Sequence, residues 1–342
     1  MKCVNIGSDY QMNKPIVSII MPVYNTEKFI EEAIKSVINQ KYRNIELICV
    51  NDKTPDRAIE ICKNYQKKYS NIKIIENEEN MGLEFTRNRG MEEMTGKYVM
   101  FLDSDDTIDD NMVEKMVNIA EKNESQVVLS AYSMIIDGND KPVLANISDM
   151  ECLNISDFSK LLLDKLEWRI LCCVGSKLYR ADVIKKNHLR FDRKYKYNED
   201  GGFILSFLLL CNKVSYIDEP FYKYQIRKSG SIMSSYRPEV FSSIIKVNEL
   251  LRRIFINNGI YNTKQELYYR KLFFLILDSL RNEAKYGDFD SYNETLKTIR
   301  NYEDYEKMQK SLIKSNILGI KQKGVLICMR LNLYNILYRI IK

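Results

Sequence analysis

Through the first half of the chain, short runs of β-branched and apolar residues alternate with segments in which apolar positions recur every three or four residues. Val17 to Met21, Ile45 to Asn51, Ile72 to Glu76, Tyr98 to Leu102 and Val127 to Ser133 are apolar enough to predict strands of a sheet covered on both faces. Between them, Phe29, Ile30, Ala33, Ile34, Val37 and Ile38 fall at helical spacing, and Ile59, Cys62, Tyr65 and Tyr69 do so again behind Asp56 as a cap. The order β-α-β-α-β predicts an α/β fold with a Rossmann-like, doubly wound, mainly parallel sheet. Its ligand crevice opens beyond the carboxyl ends of the strands.

Residues from about 150 to 235 are less regular and read as a second wall of that crevice, so one domain is expected over 1–235. From Arg237 the pattern is wholly helical: Ile244, Val247, Leu250, Leu251, Ile254 and Phe255 form one stripe, and Leu272 to Leu280 another. This predicts an all-helical C-terminal extension over 236–342, ending in a basic amphipathic helix. A composition 45% hydrophobic and 29% charged excludes a disordered chain. The net charge of +6 is concentrated at the end, where Lys307 to Lys342 hold eight basic residues and no acid. The rest is slightly acidic, which disfavours nucleic acid as a partner. In the last 19 residues, Asn332, Asn335, Arg339 and Lys342 share a narrow stripe, and Arg330 and Arg339 argue against a membrane span. Two readings stay open there: a helix lying on an anionic membrane surface, and a terminal helix docked on the fold. Eight cysteines without a C-x-x-C pair, beside a single histidine, His188, point to a reducing compartment and away from a zinc cluster. The N-terminus lacks the apolar core of a signal peptide. The expected location is cytoplasmic, at most peripheral on the inner face of the cell membrane.

The strongest chemical signal is Asp103-Ser104-Asp105-Asp106 directly after a strand. In extended backbone Asp103 and Asp105 share a face while Ser104 turns away. Two carboxylates aimed at one point repel unless a cation sits between them, and Mg²⁺ or Mn²⁺ completed by diphosphate oxygens suits that geometry. Capping of the helix from about Asp109 to Lys122 is the plainer role for Asp105 or Asp106. Two further polar edges open at the same end of the sheet, Pro22-Val23-Tyr24-Asn25 and Asn51 to Asp56. Asp52 there is suited to accept the imide N–H of a uracil, or to cap the next turn. Arg87 and Arg89 approach from the segment Asn80 to Gly90, and a guanidinium pairs well with a phosphate oxygen.

Together the stretches V-S-I-I-M-P-V-Y-N, C-V-N-D-K-T-P-D, N-M-G-L-E-F-T-R-N-R-G and G-K-Y-V-M-F-L-D-S-D-D resemble, in order and spacing, the N-terminal half of family-2 glycosyltransferases of the GT-A fold. The resemblance implies that Pro22, Val23, Tyr24, Asn25 and Asp52 hold the nucleotide, with Arg87 near the donor phosphates. Asp103, Ser104 and Asp105 would complete the donor site, Asp103 and Asp105 serving the metal. The chain departs from the family at Lys53 and Pro55, where Gly and Thr are usual. In the second half, Tyr197-Asn198-Glu199-Asp200-Gly201-Gly202-Phe203 resembles the family's acceptor-side acids, which implies Asp200 as the general base and Glu199 as its neighbour on the acceptor. Tyr222 to Ser231 is similar to a segment that follows the base, with Gln225 where Arg is common and Arg227 as its substitute. Tyr224 and Arg227 would face the acceptor. Trp168 either stacks on a sugar or fills the core.

The expected activity is inverting transfer of a hexose or N-acetylhexosamine from a nucleotide-diphosphate sugar, UDP-linked, with Mn²⁺ or Mg²⁺. The acceptor would be a saccharide or lipid-linked oligosaccharide in cell-surface glycan synthesis. A nucleotidyltransferase is the alternative enzyme, but it would carry a Gly-rich basic loop where Pro22 to Asn25 stand. A non-catalytic glycan- or lipid-binding module is the third reading, and the intact Asp103, Asp105 and Asp200 speak against it.

Overall fold

The structure, a computed structural model, describes residues 14–145, 150–164, 171, 173–196, 198–227, 236–238 and 240–341. Among the described residues, ten strands form one sheet: β1 (Val17–Val23), β2 (Ile45–Asn51), β3 (Ile72–Glu76), β4 (Tyr98–Phe101), β5 (Thr107–Ile108), β6 (Val127–Ile136), β7 (Asn139–Val143), β8 (Met150–Asn154), β9 (Lys177–Arg180) and β10 (Lys213–Gln225). The main path runs β3-β2-β1-β4-β9-β6-β10-β5. Strands β1 to β4 pair in parallel, and β6 and β10 are parallel to each other. β9 enters antiparallel between β4 and β6, and β5, β7 and β8 pair antiparallel with their neighbours. The reversal at β9 falls in the stretch where the hydrophobic pattern loses its regularity. β1 and β2 are buried at every position, as strands covered on both faces must be.

The first helix, Ile30–Ile38, turns Ile30, Ala33, Ile34 and Val37 onto the sheet. The second, Ala58–Gln66, has Arg57 and not Asp56 at its cap position; Asp56, one residue earlier, accepts from the Ala58 amide at 3.1 Å. Helices Leu83–Glu93 and Glu199–Leu208 matter most for the site, because their first turns reach the carboxyl edge of the sheet.

From Val240 onward the described residues form helices Val240–Asn257, Gln265–Tyr286, Phe289–Arg300, Tyr305–Lys314, Ile320–Arg330 and Tyr334–Ile341. The first lies against Glu199–Leu208 and buries Val247, Leu251, Ile254 and Phe255. The tail differs from the single helix expected: it breaks at Asn332, whose φ of 61° is a left-handed conformation that Asn tolerates better than most residues. Leu326, Met329 and Leu337 are buried beneath the two halves, and Tyr338 packs on Phe289 and Tyr292 at 5.4 and 5.0 Å between ring centroids. The opposite side leaves Ile320, Ile327, Leu331, Ile336 and Ile340 exposed among Lys321, Arg330 and Arg339. Among the described residues no helix is long and apolar enough to cross a membrane.

Candidate active site

The site is organised by one buried guanidinium. Helix Leu83–Glu93 turns Thr86, Arg87, Gly90 and Met91 inward, so a long cationic side chain enters the apolar layer beneath the strand ends. Arg87 is 1% exposed. Its Nη1 donates to Asp200 Oδ1 at 2.6 Å, and its Nη2 to Asp103 Oδ1 and Oδ2 at 2.9 and 3.3 Å. Two acids almost one hundred residues apart in sequence thus meet on a single cation. The guanidinium lies 5.1 Å from the centre of the Phe191 ring, which stacks on Phe203. Asn88 fixes that ring's backbone, donating to the Phe191 carbonyl and accepting from its amide, both at 2.9 Å. Asp200 occupies the first turn of Glu199–Leu208, where the helix N-terminus favours an acid, and its Oδ2 accepts from the Val174 amide at 3.2 Å.

The segment after β4 is a turn and not the extended strand assumed from the alternation. Asp106 donates its amide to the Asp103 carbonyl at 3.0 Å. Ser104 is therefore the buried member, its hydroxyl 2.9 Å from that of Thr26. Asp103 and Asp105 keep 31% and 22% of their side-chain surface open. Asp106 does not cap the helix: it is 1% exposed and accepts from Tyr222 Oη at 2.6 Å and from the Gln225 amide at 2.7 Å. Tyr222 Oη also accepts from the Asp103 amide at 3.3 Å, tying the acidic turn to β10. The Tyr222 ring demands Gly175 beside it, since a Cβ there would fall 2.1 Å from the ring.

On the nucleotide side, Pro22 and Val23 are buried in β1, whereas Tyr24 and Asn25 are exposed just past it. Asp52 is 4% exposed; it accepts from Asn77 at 2.9 Å and from the Met81 and Gly82 amides at 2.8 and 2.9 Å. It braces the turn whose Gly82, at φ +89°, starts the Arg87 helix. Three of the four lone-pair positions of its carboxylate are thereby used. Arg87 touches the crevice only through the two acids it holds, and Arg89 pairs with Glu92 at 3.5 Å on the surface. Arg227, expected opposite the acceptor, pairs with Asp105 at 2.6 Å, over the Phe29 ring at 4.8 Å. Tyr224 is half-buried in β10. Trp168 lies outside the described residues. Asn88, Phe191 and Tyr222 were not singled out by spacing, although Asn88 directly follows Arg87 and Tyr222 alternates with Tyr224 along one strand.

Among the described residues, Arg87 pairs with Asp103 and Asp200 and Arg227 with Asp105, while Asp106 is held by Tyr222 and the Gln225 amide. Burial, then the Asp103 charge, pushes the Asp105 carboxyl up against the opposing pull of Arg227. Burial, then Asp105 and Asp103, pushes Asp106 up further. Asp200 is raised by burial and by Asp103 although Arg87 opposes. Glu199, beside it, is pushed up to about 7 by burial and then by the Asp200 charge. Asp103 and Asp105 offer hard oxygens with open surface, which fits a divalent cation held by one or two carboxylates and completed by substrate oxygens. Among the described residues no three or more His, Cys, Asp or Glu side chains converge as a ready-made cage, and a substrate-completed site asks for none.

The profile of glycosyl transferase family 2 matches residues 18–187. EpsJ of Bacillus subtilis (strain 168), an uncharacterized glycosyltransferase, is 33% identical over 224 residues, 66% of this chain and 65% of that protein's length. The cholesterol galactosyltransferase of Borreliella burgdorferi is 30% identical over 271 residues, 77% of this chain and 74% of that one. The chain belongs to glycosyltransferase family 2. Its fold is that of the crystal structure of S. aureus TarS 1-349 in complex with UDP, with a TM-score of 0.67 over 94% of this chain and 89% of that one, at 21% identity. The sheet with its helical extension is accordingly a GT-A architecture, and the chain spans 65% and 42% of the length of the first two relatives it matches, EpsJ and the GlyA glycosyltransferase of Streptococcus pneumoniae.

Proposed function

We propose that this glycosyltransferase inverts configuration while moving a hexose or N-acetylhexosamine from a UDP-sugar to a saccharide or lipid-linked acceptor in cell-surface glycan synthesis, with Mn²⁺ or Mg²⁺ bound at Asp103 and Asp105. The observation that carries it is the meeting of Asp103 and Asp200 on Arg87, which sets a donor-side acid beside a second acid at the mouth of the crevice. Asp200 spends one lone pair on Arg87 and one on the Val174 amide, which leaves two of about four. A free lone pair takes the proton of the acceptor hydroxyl as its oxygen bonds to the anomeric carbon, and the bond from that carbon to the diphosphate oxygen breaks with its electron pair leaving on the diphosphate. A bound divalent cation supplies charge neutralisation for that diphosphate. Tyr24 and Asn25 offer the exposed edge for the base and ribose, and Asp52 retains one lone pair for the base.

The outward apolar and basic side of the last two helices supports an acceptor presented at an anionic membrane face, and the Borreliella relative is named for a membrane lipid. Asp200→Asn tests the assignment. It should lower sugar transfer by about three orders of magnitude while UDP with Mn²⁺ still raises the melting temperature as in the wild type. Transfer at the wild-type rate would move the base elsewhere. Glu199, with its carboxyl near neutrality, is the second candidate, and Glu199→Gln would then carry the loss.

A further inference from the structure

We propose that Arg227 is a built-in placeholder for the cation at Asp105: in the donor-free protein its guanidinium occupies the carboxylate face that a metal needs, and metal entry displaces it. The inference rests on the reading of Asp105 as a metal ligand. Arg227 stands two residues past the end of β10 and crosses the crevice between its donor walls. Its Nη2 meets Asp105 Oδ2 at 2.6 Å, its Nη1 is 3.5 Å from the Asn25 carbonyl, and its plane lies over Phe29. The side chain thus bridges the loop after β1 and the acidic turn after β4, the two edges between which a sugar diphosphate would lie. A cation is favoured there, because Asp105 stands in one turn with Asp103 and Asp106 and a positive charge offsets the repulsion among the three carboxylates.

The hold on Arg227 is also the weaker of the two arginine sites. Arg87 grips two carboxylates and is 1% exposed, whereas Arg227 is 17% exposed and, among the described residues, holds one carboxylate, one distant carbonyl and one ring. A divalent ion brings twice the charge to the same oxygen. Metal binding is then an exchange of cations on Asp105, and the released planar fork has the chemistry to pair with a phosphate oxygen of the donor.

Calorimetric titration of Mn²⁺ alone into the nucleotide-free full chain tests this, using wild type, Arg227→Met, Arg227→Lys and Asp105→Asn. With the competitor removed, Arg227→Met should bind Mn²⁺ about tenfold more tightly than wild type, the scale of one partly buried ion pair. Arg227→Lys, which keeps the charge but not the stacked fork, should fall between them. In chelator, Arg227→Met should also melt below the wild type and regain more than the wild type does on adding Mn²⁺. Equal or weaker Mn²⁺ binding by Arg227→Met, with binding lost in Asp105→Asn, overturns the placeholder while leaving Asp105 as a ligand. If no variant binds Mn²⁺ and Asp105→Asn changes nothing, the metal reading itself falls with it. Should Arg227→Met fail to fold, Arg227→Gln gives the same comparison with a hydrogen bond retained.

Discussion

The two ends of the parallel strands place the same chemical group in opposite surroundings. At the amino ends of β1, β2 and β4, one carboxylate, Glu46, is surrounded by donors. Its Oε1 accepts from Ser18 Oγ at 2.5 Å and from the Thr95 amide and hydroxyl at 2.6 and 2.8 Å, and Lys73 meets Oε2 at 2.9 Å. Burial alone would raise this acid, but Ser18, Thr95 and Lys73 outweigh it and hold Glu46 down to about 2. At the carboxyl ends, burial and mutual repulsion win, and Asp105, Asp106 and Asp200 are all raised. One edge is finished within the chain; the other is left with a deficit that a ligand can fill. Burial therefore does not decide the sign of a shift; the ratio of donors to carboxylates does.

Removing the cation at the deficient edge should have the largest effect. Arg87→Met leaves Asp103 and Asp200 facing each other beneath the crevice, and losing one partner of a buried ion pair costs about 3–5 kcal/mol, readable in urea unfolding. Because the folded value of Asp200 is raised, the native state holds its proton longer than the unfolded chain, so stability from this edge falls as pH rises through and above the ordinary carboxylate range. The deficit of Arg87→Met should accordingly be larger at pH 8 than at pH 5. A pH-independent loss would mean that Arg87 acts by filling space and not by charge.

Glu46→Gln should come next and with the opposite slope. The folded carboxyl lies near 2 against 4.5 for the free group, so its stabilisation is complete above pH 4.5 and disappears as pH falls towards 2. That difference is worth about 3 kcal/mol at neutral pH. Wild type and Glu46→Gln should differ by up to that amount at pH 7 and converge in acid. A gap that persists at pH 2 would place the effect in packing.

Much of this architecture can be read from the chain, because strands buried on both faces and helices with one buried face write their periods directly. Four of the five strand segments expected in the first half match β1, β2, β3 and β4 closely, while β6 runs on to Ile136. What periodicity could not show is contact across sequence distance. Nothing in Arg87 itself says that its fork is buried between two acids and not turned to a phosphate, since either partner satisfies it. The alternation that placed Asp103 and Asp105 on one face presumed extended backbone, and the turn closed by Asp106 changes which residue is buried. That Arg227 pairs with Asp105 depends on the path of β10, which only the pairing with β5 and β6 reveals. Gly175 belongs here too: its role comes from a ring 47 residues away in sequence. Gly175→Ala should push Tyr222 off Asp106 and cost about 2 kcal/mol through overpacking, with donor affinity falling alongside stability. Unchanged donor binding in a destabilised variant would uncouple Tyr222 from the acidic turn.

The smallest effect expected is the most pointed test of the contrast. Lys73 is a cation on a buried carboxylate, as Arg87 is, yet its side chain is 46% exposed and it is one donor among several on Glu46. Lys73→Met leaves Ser18 and both groups of Thr95 on Oε1, so the anion stays solvated by neutral dipoles. The loss should be about 0.5 kcal/mol and should vanish in high salt, which screens an exposed pair far more than a buried one. If Lys73→Met instead approaches Glu46→Gln in cost, neutral donors do not carry the amino edge. Both ends of the sheet would then depend on cations from within the chain, and the carboxyl edge would lose its distinction as the one built to receive a charge from outside.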